Sequence, residues 1–193
     1  MSNNTKNKGF TLIELVIAIF ILVVAIIGVY NSYSTVIVLT AGASSRFTGA
    51  YLAQEGIEIV RNMRDNNWLK RQNWMNGLVP RCLNGCEADY KTGTSPELHL
   101  TPWPSDGNYL KIKGTNFYSY DDIGDDVSPT KFKRKIKIRP QDHLGSNQGT
   151  TVLKVFVLVT WEDKEEKCTI SGDDCDSSCP FCIKAEEYLY NWY

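Results

Sequence analysis

The chain has 193 residues, 42% of them apolar and 22% charged, with a formal net charge of -1. Those totals fit one globular domain of ordinary size plus a membrane helix, and they give no sign of a nucleic-acid binder or a disordered tail. Six cysteines are many for this length and point to an oxidising compartment, where structural disulfides survive.

The first nine residues, MSNNTKNKG, carry Lys6 and Lys8 and no acid. Phe10 to Tyr30 is then a run of 21 residues with one charged side chain, Glu14. A run of that length can span a bilayer. The next basic residue is Arg46, so the asymmetry predicts a cytoplasmic N-terminus and an exported C-terminal domain. A carboxylate at the centre of a membrane helix costs roughly 2.5–3.5 kcal/mol, less near its end. Glu14 therefore calls for a partner.

Three readings of this segment compete. A cleavable signal peptide has a possible small-residue site at Ala41-Gly42-Ala43, but its apolar core is usually about 7–15 residues, shorter than this run. A plain signal anchor explains length and orientation but leaves Glu14 without a purpose. In the third reading, Gly9-Phe10-Thr11-Leu12-Ile13-Glu14 resembles the processing site of type IV pilins and of the pseudopilins of type II secretion systems. That pattern is a short basic leader ending in Gly, then Phe, then a Glu at the fifth mature position, then an unbroken apolar helix.

The resemblance implies a leader over residues 1–9, cut between Gly9 and Phe10 by a prepilin peptidase, with N-methylation at Phe10. It implies a subunit held in the inner membrane by a single pass, with the C-terminal domain outside, which then joins a pilus or pseudopilus. The expected partners are the peptidase, other pilin or pseudopilin subunits, the inner-membrane assembly platform and membrane lipid, with no nucleic acid among them. Glu14 would pair with the Phe10 amine of a neighbour, or its own, during assembly. A buried carboxylate is tolerated when a cation lies beside it. The alternative is a Glu that only reaches back to the membrane interface.

The apolar segment is expected to continue as one long helix over 10–66, membrane-spanning over 10–30. Phe47, Ala50, Ala53, Ile57 and Val60 recur at three- and four-residue spacing, widened by Leu52, Ile59 and Met63. Asp65-Asn66-Asn67 reads as a stop. Gly28, Gly42, Gly49 and Gly56 are either hinges or close-packing points. Many pilins carry a proline midway through the apolar helix; here the first proline is Pro80.

Residues 67–193 are expected to form a β-rich extracytoplasmic domain. Residues 68–108 read as an irregular connection, and Tyr109–Lys113 as a short strand. KFKRKIKIR, 131–139, alternates, with Phe132, Ile136 and Ile138 on one face and Lys133, Lys135 and Lys137 on the other. In 151–161, Leu153, Val155, Val157, Val159 and Trp161 share a buried face. Gly145 to Gly149 suits the hairpin between these two strands. Ile183 to Tyr190 is a last strand or a helix. The fold class is α+β, a long helix on an antiparallel sheet of about four strands, which agrees with the resemblance. The paired basic and apolar strands look more like those of minor pilins and minor pseudopilins.

Chemistry-bearing residues are few. Cys82, Cys86, Cys168, Cys175, Cys179 and Cys182 are expected as disulfides in an exported chain, ahead of zinc or redox chemistry, although Cys179-Pro-Phe-Cys182 has a spacing that zinc sites use. Cys82–Cys86 is the pairing the residues suggest, because Asn84-Gly85 supplies a turn. DDIGDD, 121–126, and GDDCD, 172–176, are acidic loops of the kind that hold calcium in some pseudopilins, or solvated turns. The strand at 131–139 has six Lys or Arg in nine residues and reads as a solvated sheet face, or else a contact for DNA or an acidic subunit. His99 and His143 lie in separate loops. No catalytic constellation, cofactor or metal site is expected, so the chain reads as a structural subunit and not an enzyme. The rival class is a membrane-anchored extracytoplasmic binding or metal-binding protein that does not polymerise.

Overall fold

A computed structural model describes residues 9, 11–95, 98–114, 117–121, 127–141, 152–162, 168, 170, 172, 174–176 and 179–191. Phe10, His143 and the Gly145-to-Gly149 hairpin lie outside the described residues, as does most of DDIGDD. The chain divides into two compact units, residues 1–44 and 45–193.

One helix, α1 (Leu12–Leu69), enters both units, and a single turn, α2 (Val79–Cys82), follows. No proline interrupts the 58 residues of α1, and all its glycines lie where the helix tolerates them. The helix runs three residues past its expected end at 66 before the chain turns at Arg71, whose φ is +54°. Within residues 1–44, the large apolar side chains from Leu12 to Leu39 are all exposed.

The second unit is built on seven strands among the described residues: β1 (Cys86–Glu87), β2 (Thr101–Pro102), β3 (Tyr109–Lys113), β4 (Phe117–Ser119), β5 (Val127–Gln141), β6 (Val152–Trp161) and β7 (Cys182–Tyr190). All their pairings are antiparallel. The long strand β5 is the hub. It pairs with β6 from Phe132↔Trp161 to Gln141↔Val152, with β3 at its start, and with β1 at Ile136. β7 completes the other side by pairing along β6. The sheet is larger than four strands because the 68–108 connection supplies β1 and β2 and the segment after β3 supplies β4, all too short to leave a period-2 signature. The 183–190 segment resolves to a strand, since its alternate residues register against β6.

The core lies between residues 45–69 of α1 and one face of β5, β6 and β7. Leu52, Ala53, Ile57, Val60 and Met63 pack there with Phe132, Ile136, Ile138, Val155, Val157, Val159 and Trp161. The helix stripe differs from the periodicity reading at its start. Phe47 is 67% exposed and Ala50 is exposed as well, and Ser45 and Gly49 are buried in their place. The reason is closeness of approach. A Cβ on Gly49 would stand 3.0 Å from the Trp161 ring, and one on Gly56 would stand 2.8 Å from Val157 Cγ1. The helix turns its smallest residues to the sheet. Gly28 and Gly42 have open space around them, so only the two later glycines are close-packing points.

The basic strand overturns the solvated-face reading. Lys133, Lys135 and Lys137 are each under a tenth exposed, and Arg134 is fully buried. Lysine stems cover apolar surface while their heads find partners. Lys133 Nζ bonds Asp106 at 3.0 Å and lies over the Tyr109 ring, and Lys135 lies over Trp103. Gly85, at φ +109°, permits this, because a Cβ there would meet Lys135 Cε at 2.4 Å.

Arg134 shares the helix-facing side with Ile136 and Ile138. Its Nη1 donates to the Leu52 carbonyl at 2.9 Å and to Glu55 Oε2 at 2.6 Å, and its Nη2 donates to the Ala88 carbonyl at 2.6 Å. Nε alone has no partner among the described residues. Tyr120 donates its hydroxyl to the Arg134 carbonyl at 3.2 Å. Burial pushes the Tyr120 phenol well above its ordinary range, against a smaller opposing pull from Arg134. Burial and the Glu162 carboxylate push Tyr109 up to about 12.

Two outcomes follow for stability. Gly56→Ala should lower the urea midpoint, since overpacking typically costs 1–3 kcal/mol and helix propensity returns only about 1; Gly42→Ala should not lower it. Tyr109 and Tyr120 have raised folded-state values, so the stability they contribute is whole below about pH 10, where unfolded tyrosine titrates. It is lost as pH rises through the folded values. The domain should be less stable to urea at pH 11 than at pH 8, and Tyr120→Phe should narrow that difference.

Candidate functional site

The candidate processing site heads α1. Gly9 is exposed, with no atom within 4 Å of an added Cβ, so backbone there is accessible. Thr11 and Glu14 form a reciprocal cap. The Glu14 amide donates to Thr11 Oγ1 at 3.4 Å, while the Thr11 amide and hydroxyl donate to Glu14 Oε2 at 3.5 and 3.4 Å. The first helical bond runs from the Leu15 amide to the Thr11 carbonyl at 3.2 Å. This is the T-x-x-E capping box, with the acid in the first turn at the positive end of the helix dipole. Thr11 was legible as a cap from that spacing; the sequence reading assigned it no role. Glu14 thus has an intrachain partner, and Phe10, its expected intersubunit partner, lies outside the described residues.

The cysteines form three disulfides. Cys82–Cys86 joins α2 to β1 with Cα atoms 4.9 Å apart, and both residues are fully buried. The turn between them is closed by the Gly85 amide on the Cys82 carbonyl. Cys168–Cys179 and Cys175–Cys182 interlace before β7, with Cα separations of 5.6 and 5.7 Å. The CxxC pair, Cys179 and Cys182, is therefore split between two bridges.

Other expected residues stand apart. Asp121 pairs with Lys91, and Asp174 pairs with Lys184 at 3.3 Å. His99 is exposed on the loop before β2. Asp122 to Asp126, Asp173 and His143 lie outside the described residues.

The cap sets up one measurement. Replacing an N-cap Thr by Ala costs about 0.5–2 kcal/mol. Thr11→Ala should therefore speed amide exchange at Leu12–Leu15 several-fold in detergent micelles, with exchange at Val155–Val159 unchanged.

Residues 4–30 match the family model described as the prokaryotic N-terminal methylation motif. No curated protein and no solved structure matches the chain. The motif takes in the candidate cleavage junction, the capped first turn and the apolar run, and one long apolar N-terminal helix behind it fits a single-pass inner-membrane anchor. By these features the chain has the N-terminus of a type IV pilin-like or pseudopilin precursor.

Proposed function

We propose that this chain is a minor pilin or minor pseudopilin, a structural subunit with no enzymatic activity. A prepilin peptidase removes residues 1–9 on the cytoplasmic side, and the new Phe10 amine is methylated. The subunit waits in the inner membrane with residues 45–193 outside, then passes through the assembly platform into a filament with other pilin-like subunits. The observation that carries this reading is the register of Gly9, Phe10 and Glu14 within the matched motif, at the head of a helical segment, Leu12 to Leu39, whose large apolar residues are exposed all round. Such a surface needs lipid or the apolar helices of other subunits. The disulfides suit a domain outside the cytoplasm.

In this mechanism Glu14 changes partners. In the capped helix its carboxylate holds the Thr11 amide and hydroxyl at 3.4–3.5 Å, long and weak contacts that a cation can displace. Cleavage creates that cation at Phe10. In a packed fibre core the amine of one subunit and Glu14 of another are poorly screened, so their pairing sets axial register.

Two variants separate charge from capping. Gln also serves the acid's place in a capping box, so Glu14→Gln should keep helix-start protection while losing the ion pair. Breaking a buried pair costs roughly 3–5 kcal/mol, so incorporation into filaments should fall about a hundred-fold or more while cleavage continues. Normal incorporation of Glu14→Gln would show that charge pairing is not the mechanism. N-terminal mass analysis should find a chain beginning at methylated Phe10. An intact Met1 in cells with active peptidase would favour the membrane-anchored, non-polymerising alternative.

A further inference from the structure

The geometry points to a binding cleft for a small hydroxyl-bearing oxyanion, of the sugar-acid or sugar-phosphate kind, at the C-terminal end of α1. The cleft holds about 340 Å³, within the range of small-molecule sites. Its floor is Met63, and two loops close over that side chain. One wall turns at Gly77, with φ +75°, and the other at Gly93, with φ +82°. A Cβ on Gly93 would stand 2.6 Å from Met63 Cγ, so the left-handed glycine is what lets this wall close down. The cleft is therefore shaped by backbone and does not depend on one surface side chain.

The lining carries Lys70, Arg81 and His99 and no carboxylate among the described residues. Arg61 is paired with Glu58 and Glu187, Lys91 with Asp121, Lys133 with Asp106 and Lys184 with Asp174. Lys70, Arg81 and His99 have no such partner among the described residues. Lys70 and Arg81, gathered in a concave site, focus a positive potential, and Lys and Arg recognise carboxylate and phosphate oxygens.

The amides provide the second half of the chemistry. Asn67 Nδ2 is spent on the Trp74 and Asn76 carbonyls, at 3.2 and 2.8 Å, which anchors the residue and leaves Oδ1 to accept. Asn66 Nδ2 is held by Asn62 Oδ1 at 2.7 Å, and Asn76 Nδ2 reaches Gln72 Oε1 at 3.4 Å. Each of these asparagines is fixed through its donor and presents an acceptor oxygen. Free anions such as phosphate at high pH offer acceptors only. A ligand that satisfies both halves carries an anionic group for Lys70 and Arg81 and hydroxyl donors for the amide oxygens. This inference uses residues 63–99 alone and stands whether or not the chain enters a filament.

The test is equilibrium binding to the full detergent-solubilised chain, with four probes: glucuronate, glucose 6-phosphate, glucose and inorganic phosphate. Saturable binding of glucuronate or glucose 6-phosphate is expected, and whichever binds identifies the carboxylate or the phosphate as the anion. Arg81→Gln should weaken it about tenfold or more, as loss of a charge-assisted hydrogen bond does. Lys70→Gln with Arg81→Gln should abolish it without moving the thermal midpoint, since both side chains are exposed. Equal binding of glucose, equal binding of inorganic phosphate, unchanged binding by the double variant, or no binding of any probe would each overturn the proposal.

Discussion

A guanidinium buried among aliphatic side chains organises the globular unit. Arg134 sits on the same face of β5 as Ile136 and Ile138, with no solvent exposure. A charge in that position is tolerated where its donors find acceptors, and two separate parts of the unit supply three of them. Leu52 and Glu55 come from α1, and Ala88 from the segment after β1. Glu55 keeps a third of its side chain in water, so the pair is not wholly desolvated. Gly56 is part of the same arrangement, because a Cβ there would stand 3.3 Å from Arg134 Cδ as well as striking Val157. The small residue on the helix and the long one on the strand thus require each other.

That constraint explains how one strand can be both basic and central. Lys133 and Lys135 send their stems across the second face of the sheet, where Tyr109, Asp106 and Trp103 receive the heads, while Arg134 turns into the core. The connection over 82–108 is fastened for this purpose. The Cys82–Cys86 bridge and the Gly85 turn hold it beside β5, and Glu87 is buried with both carboxylate oxygens on Asn108, at 2.6 and 2.9 Å. At the opposite side of the sheet, Cys175–Cys182 and Cys168–Cys179 tie down the start of β7. Bridges of this kind typically contribute 2–4 kcal/mol, a large share of the stability of a small domain.

The helix α1 shows how one element carries two kinds of surface. From Leu12 to Leu39 its apolar residues are exposed on all sides, and from Ser45 to Arg64 it buries a single stripe. The first pattern has no partner among the described residues of 1–44, and its chemistry matches lipid or other apolar helices. Glu14 belongs at its very start, where the capping box and the helix dipole favour a carboxylate that the helix centre would reject.

Local chemistry was sufficient for the features written in consecutive residues. The apolar run, the Gly9-to-Glu14 motif, the strand over Tyr109–Lys113, the buried alternation in β6 and the turn at Asn84-Gly85 all depend on neighbours a few positions apart. The hub role of β5, the burial of Lys133, Lys135 and Lys137, the reach of Arg134 to Leu52 and Ala88, and the gathering of Lys70, Arg81 and His99 around Met63 do not. Each joins residues tens of positions apart, and alternation alone leaves open which face of a strand meets water. The exchange of Phe47 for Ser45 and Gly49 in the helix stripe has the same origin. Hydropathy ranks phenylalanine above glycine, but the separation between α1 and the sheet, which only packing decides, leaves room for hydrogen at those positions and not for a ring.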